Sequence, residues 1–342
     1  MSARHAGLLA LLAAIWGGSY LLIKYALEGF SPAMVVFGRT LLGAGVLYAV
    51  IRAQGGQARA ALGDVRRRPA VALLLGLLAI TAPFLLISFG ELEVPSGLTA
   101  VLIAPAPLFV AIFAPLLDPS ERIGGRQALG LVIGLGGVAL LVGVETVHRF
   151  VEFLGALGIV AASASYALSS FMVKGAYRGS PAIATSCISV GVGALLTAPV
   201  AAATAPGHTP DLRSSVALVV LGVVGTAAAF VIFYRLISEI GAGRATLVSY
   251  LVPPLSLAYG ATLLDERITG ASVGGLALIL LGVALASGAP GRAAEGVPEG
   301  AEAGAGLEPV SPSGSDGPRR AARPPTPRAP TRRRASSRTP RA

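Results

Sequence analysis

Residues 94–143 and 241–288 are two versions of one segment, and a chain built from two related halves must fold so that both copies find equivalent surroundings. When Val94–Asp118 is set against Gly241–Asp265 at an offset of 147, nine of twenty-five positions are identical, among them Thr99/Thr246, Pro107/Pro254, Leu108/Leu255 and Asp118/Asp265. Once Pro119 and Ser120 are passed over, residues 121–143 match 266–288 at twelve of twenty-three positions, beginning with Glu121-Arg122-Ile123 against Glu266-Arg267-Ile268. A bias towards Leu, Ala, Gly and Val produces chance matches, but not a shared acidic-basic motif flanked by a shared proline. Further left the match is weaker: Trp16, Ser19 and Lys24 align with Tyr166, Ser169 and Lys174 at an offset of 150, and Ser31-Pro32 with Ser180-Pro181 at 149. Two halves are expected, at about 1–145 and 150–289, followed by a tail over 290–342.

Hydrophobic residues make up 54% of the 342 and charged residues 13%, against roughly 25% charged in a soluble domain. That composition is one of an integral membrane protein. Its apolar runs far exceed the ~10-residue alternating segments of an outer-membrane barrel, so helices must satisfy the backbone inside the bilayer. At roughly 20 residues per crossing, uncharged runs predict ten spans near 6–26, 32–51, 70–90, 96–117, 127–144, 151–173, 182–204, 214–236, 244–264 and 270–289. Arg4 and His5 precede the first run as in a signal peptide, but the run continues to Ile23 with no small-x-small cleavage site, so it reads as retained. The single cysteine, Cys187, leaves no internal disulfide or cysteine metal cluster. The three histidines, His5, His148 and His208, fall in loops or at span ends, so neither a zinc site nor a cofactor is expected, and no nucleic-acid partner.

Lys and Arg accumulate on cytoplasmic loops. An N-terminus inside puts Arg4, five arginines over 52–68, Arg122, Arg126, Lys174, Arg178, Arg235 and Arg244 on that face, twelve in all, against Lys24, Arg149, Arg213 and Arg267 on the other. Both termini are therefore expected in the cytoplasm, and five spans per half then make the halves run in opposite directions, as inverted-topology repeats. The fold expected is an all-α polytopic membrane protein of ten helices. The tail carries ten Arg and five acidic residues among Gly, Ala, Pro and Ser. It is too poor in apolar side chains to offset the entropy of ordering. Attraction of its arginines to anionic lipid competes with the plainer reading, a disordered extension.

The combination of an inverted five-plus-five repeat, an aromatic-Gly pair in the first span (Trp16-Gly17), an Arg early in the second (Arg39), and proline-bearing fourth and ninth spans ending in LLDPSERI (Leu116–Ile123) and LLDERI (Leu263–Ile268) resembles the EamA-like family of the drug/metabolite transporter superfamily. The resemblance covers about residues 6–289. The two turns are similar to the family's Leu-Gly-Glu-Arg turn, with Asp in place of Gly in both copies and Pro119-Ser120 inserted in the first. The resemblance implies a cell-membrane exporter of small organic solutes without naming a cargo. Inverted repeats give independent reason for alternating access, since each half can adopt the shape its partner holds.

Trp16, Ser19 and Tyr20 share a face of the first span, as Ser163, Tyr166 and Ser170 do of the sixth. Aromatic and hydroxyl groups on such a face suit a mostly apolar cavity with a few polar contacts; the alternative is close packing of small residues. Arg39 lies about seven residues into its span, where a charge costs ~2.5–3.5 kcal/mol and must face protein or water. It either meets an anionic group of the cargo or the outer gate, or reaches outward to Glu28, Glu91 or Glu93. Glu91 is the candidate for carrying a coupling proton. Pro105, Pro107, Pro253 and Pro254 sit mid-span and are candidate hinges. Glu121 and Glu266 read as structural, each meeting the N-terminal dipole of its following span. A catalytic constellation for an intramembrane enzyme is missing from the sequence. The alternatives to an exporter are a nucleotide-sugar or phosphosugar exchanger, which needs several cavity cations, and a non-transporting scaffold.

Overall fold

A computed structural model describes residues 2–54, 63, 67–117, 123–145, 149–176, 181–245 and 247–286. The tail, His148 and the first copy of the turn (Asp118, Glu121, Arg122) lie outside them. All regular structure among the described residues is helical. The helices are α1 (Ala3–Leu27), α2 (Pro32–Gln54), α3 (Pro69–Gly90), α4 (Ser96–Leu117), α5 (Gly125–Glu145), α6 (Phe150–Ala176), α7 (Ala182–Ala203), α8 (Leu212–Gly222 continuing to Ile240), α9 (Val248–Leu263) and α10 (Gly270–Ala286). Of these, α1 to α8 are long and apolar enough to cross a membrane. The expected ninth and tenth spans appear as helices of 16 and 17 residues.

The starts of the helices follow their sequences. Ser2 caps α1 by accepting from the His5 N–H at 3.3 Å, Asp211 caps α8 from Ser214 at 2.8 Å, and Thr269 caps α10 from Ser272 at 3.0 Å, each filling a donor that helix geometry leaves open. Pro32 and Pro69 open α2 and α3, where the missing N–H costs nothing.

Two helices depart from α geometry. In α3 residues Leu77–Thr81 are π-helical, and in α8 residues Val223–Ala228 are. A π turn leaves local carbonyls poorly matched, and hydroxyls take them up: Ser165 of α6 donates to the Leu78 carbonyl at 2.7 Å, and Thr226 to the Leu221 carbonyl at 3.0 Å. The mid-span prolines act differently in the two halves. α4 breaks at Ala104–Pro105 into Ser96–Ile103 and Ala106–Leu117, with Pro107 in the first turn of the second piece. Pro253 and Pro254, by contrast, lie inside a continuous α9.

Packing pairs helices across the halves. α2 lies on α7, α5 on α10 and α4 on α9; α1 meets α8 and α9, as α6 meets α3 and α4; α2 meets α8, as α7 meets α3. Exchanging α1–α5 for α6–α10 returns the same set of pairs. α5 and α10 approach closely: a Cβ on Gly130 would fall 2.6 Å from the Gly282 carbonyl oxygen, and one on Gly282 2.4 Å from Gly134 Cα. Backbones this near require small residues, and dispersion between them is what holds helices together in lipid. Leu141, Ile279 and Val283 fill the same seam.

Candidate functional site

Of the aromatic residues singled out on α1 and α6, Tyr20 and Tyr166 lie near Arg39, while Trp16 packs against α8. Trp16, Tyr20 and Tyr166 are all half-buried. Trp16 packs on Phe233 with ring centroids 5.3 Å apart and edge-on to Phe230 at 6.5 Å, which ties α1 to α8. Tyr20 and Tyr166 border the same apolar cluster, in which Ile23 of α1, Ile87 of α3 and Leu221 of α8 meet. Residues 11–19 and 161–169 show the same order of exposed, half-buried and buried positions, so Trp16 and Tyr166 occupy matching places on their helices.

Arg39 is buried, at 6% exposure. Its guanidinium lies 4.0 Å over the Phe84 ring of α3, and its Nε and Nη2 donate to the Thr226 Oγ1 at 3.4 and 3.3 Å. The π turn of α8 therefore presents Thr226 to Arg39. Close approach of α2 to α8 makes this possible: a Cβ on Gly43 would fall 2.8 Å from Thr226 Cγ2, and one on Gly222 would meet the Arg39 carbonyl oxygen at 3.2 Å. The outward reach to an acid does not occur. Glu28 pairs with Arg213 at 3.5 Å and Glu93 with Arg149 at 3.1 Å, while Arg39 is held inward by an aromatic face and a hydroxyl.

The serines turn back on their own helices. Ser19 donates to the Ile15 carbonyl, Ser163 to Val160 and Ser170 to Ala167, at 2.7–2.9 Å. Each hydroxyl proton is thus taken, leaving lone pairs to accept from a ligand. Lys174 lies in α6.

Glu91 ends α3, one residue beyond the span. It is fully buried and neither carboxyl oxygen has a hydrogen-bond partner. Burial raises its carboxyl well above the usual carboxylate range; Lys24 and Arg39 oppose the rise and Glu266 adds to it. The Lys24 ammonium donates to the Glu91 backbone carbonyl rather than to its carboxyl. Glu266 departs from expectation. Its following helix α10 is capped by Thr269, and its carboxylate instead caps α4 of the other half, accepting from the Ser96 and Gly97 N–H groups. Sequence reading missed Phe84, Thr226, Phe230 and Phe233, which sit inside uncharged spans among residues of the same kind. Among the described residues no group of three or more His, Cys, Asp or Glu side chains is placed to hold a metal.

The ends of the bundle sort by loop parity. At one end Glu28–Arg213, Glu93–Arg149 and Ser31–Thr204 join the turns after α1, α3, α5 and α7; at the other, Arg4 and His5 meet Glu239.

The profile of the EamA-like transporter family matches this chain twice, over residues 5–143 and 153–288. A probable amino-acid metabolite efflux pump of Escherichia coli strain K12 is 29% identical over 297 residues, covering 82% of this chain and 94% of that protein. A probable terminal-alkyne amino-acid exporter of Streptantibioticus cattleyicolor is 26% identical over 278 residues, covering 81% and 91%. An uncharacterized transporter of Archaeoglobus fulgidus is 27% identical over 276 residues, covering 80% and 95%. One solved crystal structure superposes with a TM-score of 0.58 at 20% identity, over 84% of this chain and 98% of its own, and shares the fold.

Proposed function

The chain belongs to the EamA-like transporter family, and from that membership together with the Arg39 site we propose that it exports small organic metabolites through the cytoplasmic membrane by alternating access. It is a multi-pass membrane transporter; the direction, mechanism and cargo are our reading. Ten crossings in two inverted repeats are supported by the interchange of helix pairs between halves, by π turns in both α3 and α8, and by the twofold family match. The Lys/Arg count of the loops supports cytoplasmic termini.

The observation that carries the reading is Arg39. A guanidinium at that depth, held among the described residues by a ring face and one long-range hydroxyl contact, has donors left for an anion, and a countercharge at low dielectric is strongly attractive. A cargo bearing a carboxylate would supply it, with Trp16, Tyr20 and Tyr166 against its apolar part and the Ser19, Ser163 and Ser170 lone pairs beside it. The named amino-acid exporters among the relatives fit such a cargo. We assign the coupling proton, where export is proton-driven, to Glu91. A nucleotide-sugar or phosphosugar exchanger is disfavoured because Lys24, the cation next to this group, is engaged by the Glu91 carbonyl. The test is flux in reconstituted vesicles of labelled amino acids against nucleotide sugars. Folded protein that moves neither class would leave the scaffold reading standing, and movement of nucleotide sugars alone would overturn the assignment of cargo.

A further inference from the structure

Glu266 belongs to the turn after α9, yet its carboxylate grips the start of α4. Oε1 accepts the Ser96 N–H at 2.7 Å and Oε2 the Gly97 N–H at 2.9 Å. Both amides are among those a helix leaves unpaired at its N-terminus, where negative charge is favoured. Two glycines keep the slot open: a Cβ on Gly260 would fall 2.2 Å from Glu266 Oε2, and one on Gly97 would meet Leu257 Cα at 3.0 Å. The Ser256 hydroxyl donates to the Ser96 carbonyl at 3.3 Å, and the Tyr25 hydroxyl to the Leu263 carbonyl at 3.1 Å. One end of α1, α4 and α9 is thereby fastened together.

A second observation lies five residues before Ser96. Glu91 is buried with both carboxyl oxygens unpartnered, and the Ser96 hydroxyl is buried without a partner as well. Lys24 and Tyr20 face Glu91 from α1, Arg39 from α2 and Glu266 from the turn, while α6 sets Gly155 and Ile159 against the adjoining Gly90. A neutral carboxyl tolerates that place. An ionised one does not, because the loss of solvation, together with the nearby Glu266, outweighs the pull of Lys24 and Arg39.

Building on the export reading above, we propose that the grip of Glu266 on Ser96 and Gly97 is the latch closing the extracytoplasmic end of the transport path, and that Glu91 is the proton site that sets it. With Glu91 protonated, Glu266 holds the α4 N-terminus and the end is shut. When the proton leaves, the Glu91 carboxylate and Glu266 repel each other, and Glu91 is drawn towards water. Only Leu92 to Pro95 separate it from Ser96, so its departure pulls the start of α4 away from the Glu266 carboxylate.

The experiment places spin labels at Leu92→Cys and Ile268→Cys, both exposed and on either side of the latch, in a Cys187→Ala background of the full chain in lipid nanodiscs. Distances are read from about pH 5 to about pH 9, a window that brackets a carboxyl displaced upward from its usual value. The wild-type pair is expected to give one short distance at acid pH and a growing longer population as pH rises. Glu91→Gln should hold the short distance throughout, and Glu266→Gln should show the longer one throughout. A wild-type distance that ignores pH, or a pH response surviving unchanged in Glu91→Gln, overturns the proposal; the latter variant keeps the side-chain shape and does not depend on Glu266→Gln folding. Flux is measured separately, so that a latch responding to pH without any transport would sink the export reading and leave the latch.

Discussion

At the scale of single residues, the turn LLDERI holds a non-glycine residue in an unusual backbone conformation. Asp265 adopts φ +55°, the left-handed region. Asp tolerates that region through local hydrogen bonding, whereas a β-branched residue does not. Asp265→Gly should therefore leave the melting temperature equal or higher, and Asp265→Val should lower stability by about 1–2 kcal/mol; thermal melts of purified protein decide it. Arg39 gives a sharper test. Lys keeps the charge but loses the planar group that lies over Phe84 and reaches Thr226, so Arg39→Lys should cut flux while the melting temperature and monodispersity stay near wild type. Unchanged flux with a lowered melting temperature would instead make Arg39 a packing residue. Glu91 carries a pH signature. Its folded-state carboxyl is raised by burial, so the folded protein holds a proton that the unfolded chain gives up near pH 4.3, and stability falls as pH rises above that value. Glu91→Gln should raise the melting temperature at about pH 8 and change it little at about pH 4; an equal effect at both would exclude this assignment.

At the scale of elements, glycine spacing on α5 and α10 separates structural from incidental positions. Gly134 and Gly282 touch backbone to backbone, whereas a Cβ on Gly136 would meet nothing within 4 Å. Gly134→Leu or Gly282→Leu forces the helices apart, a misfit worth upwards of about 1–3 kcal/mol, and should reduce folded yield. Gly136→Leu should express as wild type. Fluorescence size-exclusion of the three variants checks the contrast, and equal losses would mean that the seam is not where the halves bind. The presence of a helix at each expected span was legible because apolar runs of that length have one viable form in lipid. Its interruptions were not. Nothing in the composition of Leu77–Thr81 or Val223–Ala228 distinguishes them from neighbouring turns, and the same proline signal broke α4 at Pro105 but left α9 continuous through Pro253 and Pro254. Whether a carbonyl freed by proline or a π turn is satisfied depends on a hydroxyl or neighbour supplied by another helix, and that is settled across the bundle.

At the scale of the molecule, Trp16 and Tyr166 stand at matching places on α1 and α6. In a Cys187→Ala background, single cysteines at these two positions should react with a small water-soluble thiol reagent, and silence at both in folded protein would favour packing over a cavity. The apolar composition, the internal repeat and the loop charges already determined the membrane class, the helical form and the likeness of the two halves, because each follows from properties that are summed along the chain: length of apolar run, period, and count of charge. The sequence also marked Arg39, Tyr20, Tyr166 and Glu91, since a charge or aromatic hydroxyl at membrane depth is costly wherever it sits. What only the tertiary structure decided is who meets whom. Arg39 took Phe84 and Thr226 rather than an acid, and Glu266 took the amides of α4 rather than those of its own following helix. The reason is that these partners lie between 45 and 187 residues apart in the chain, and a side chain's choice among donors is made by distance and burial in the packed bundle, for which spacing along one strand of sequence holds no measure.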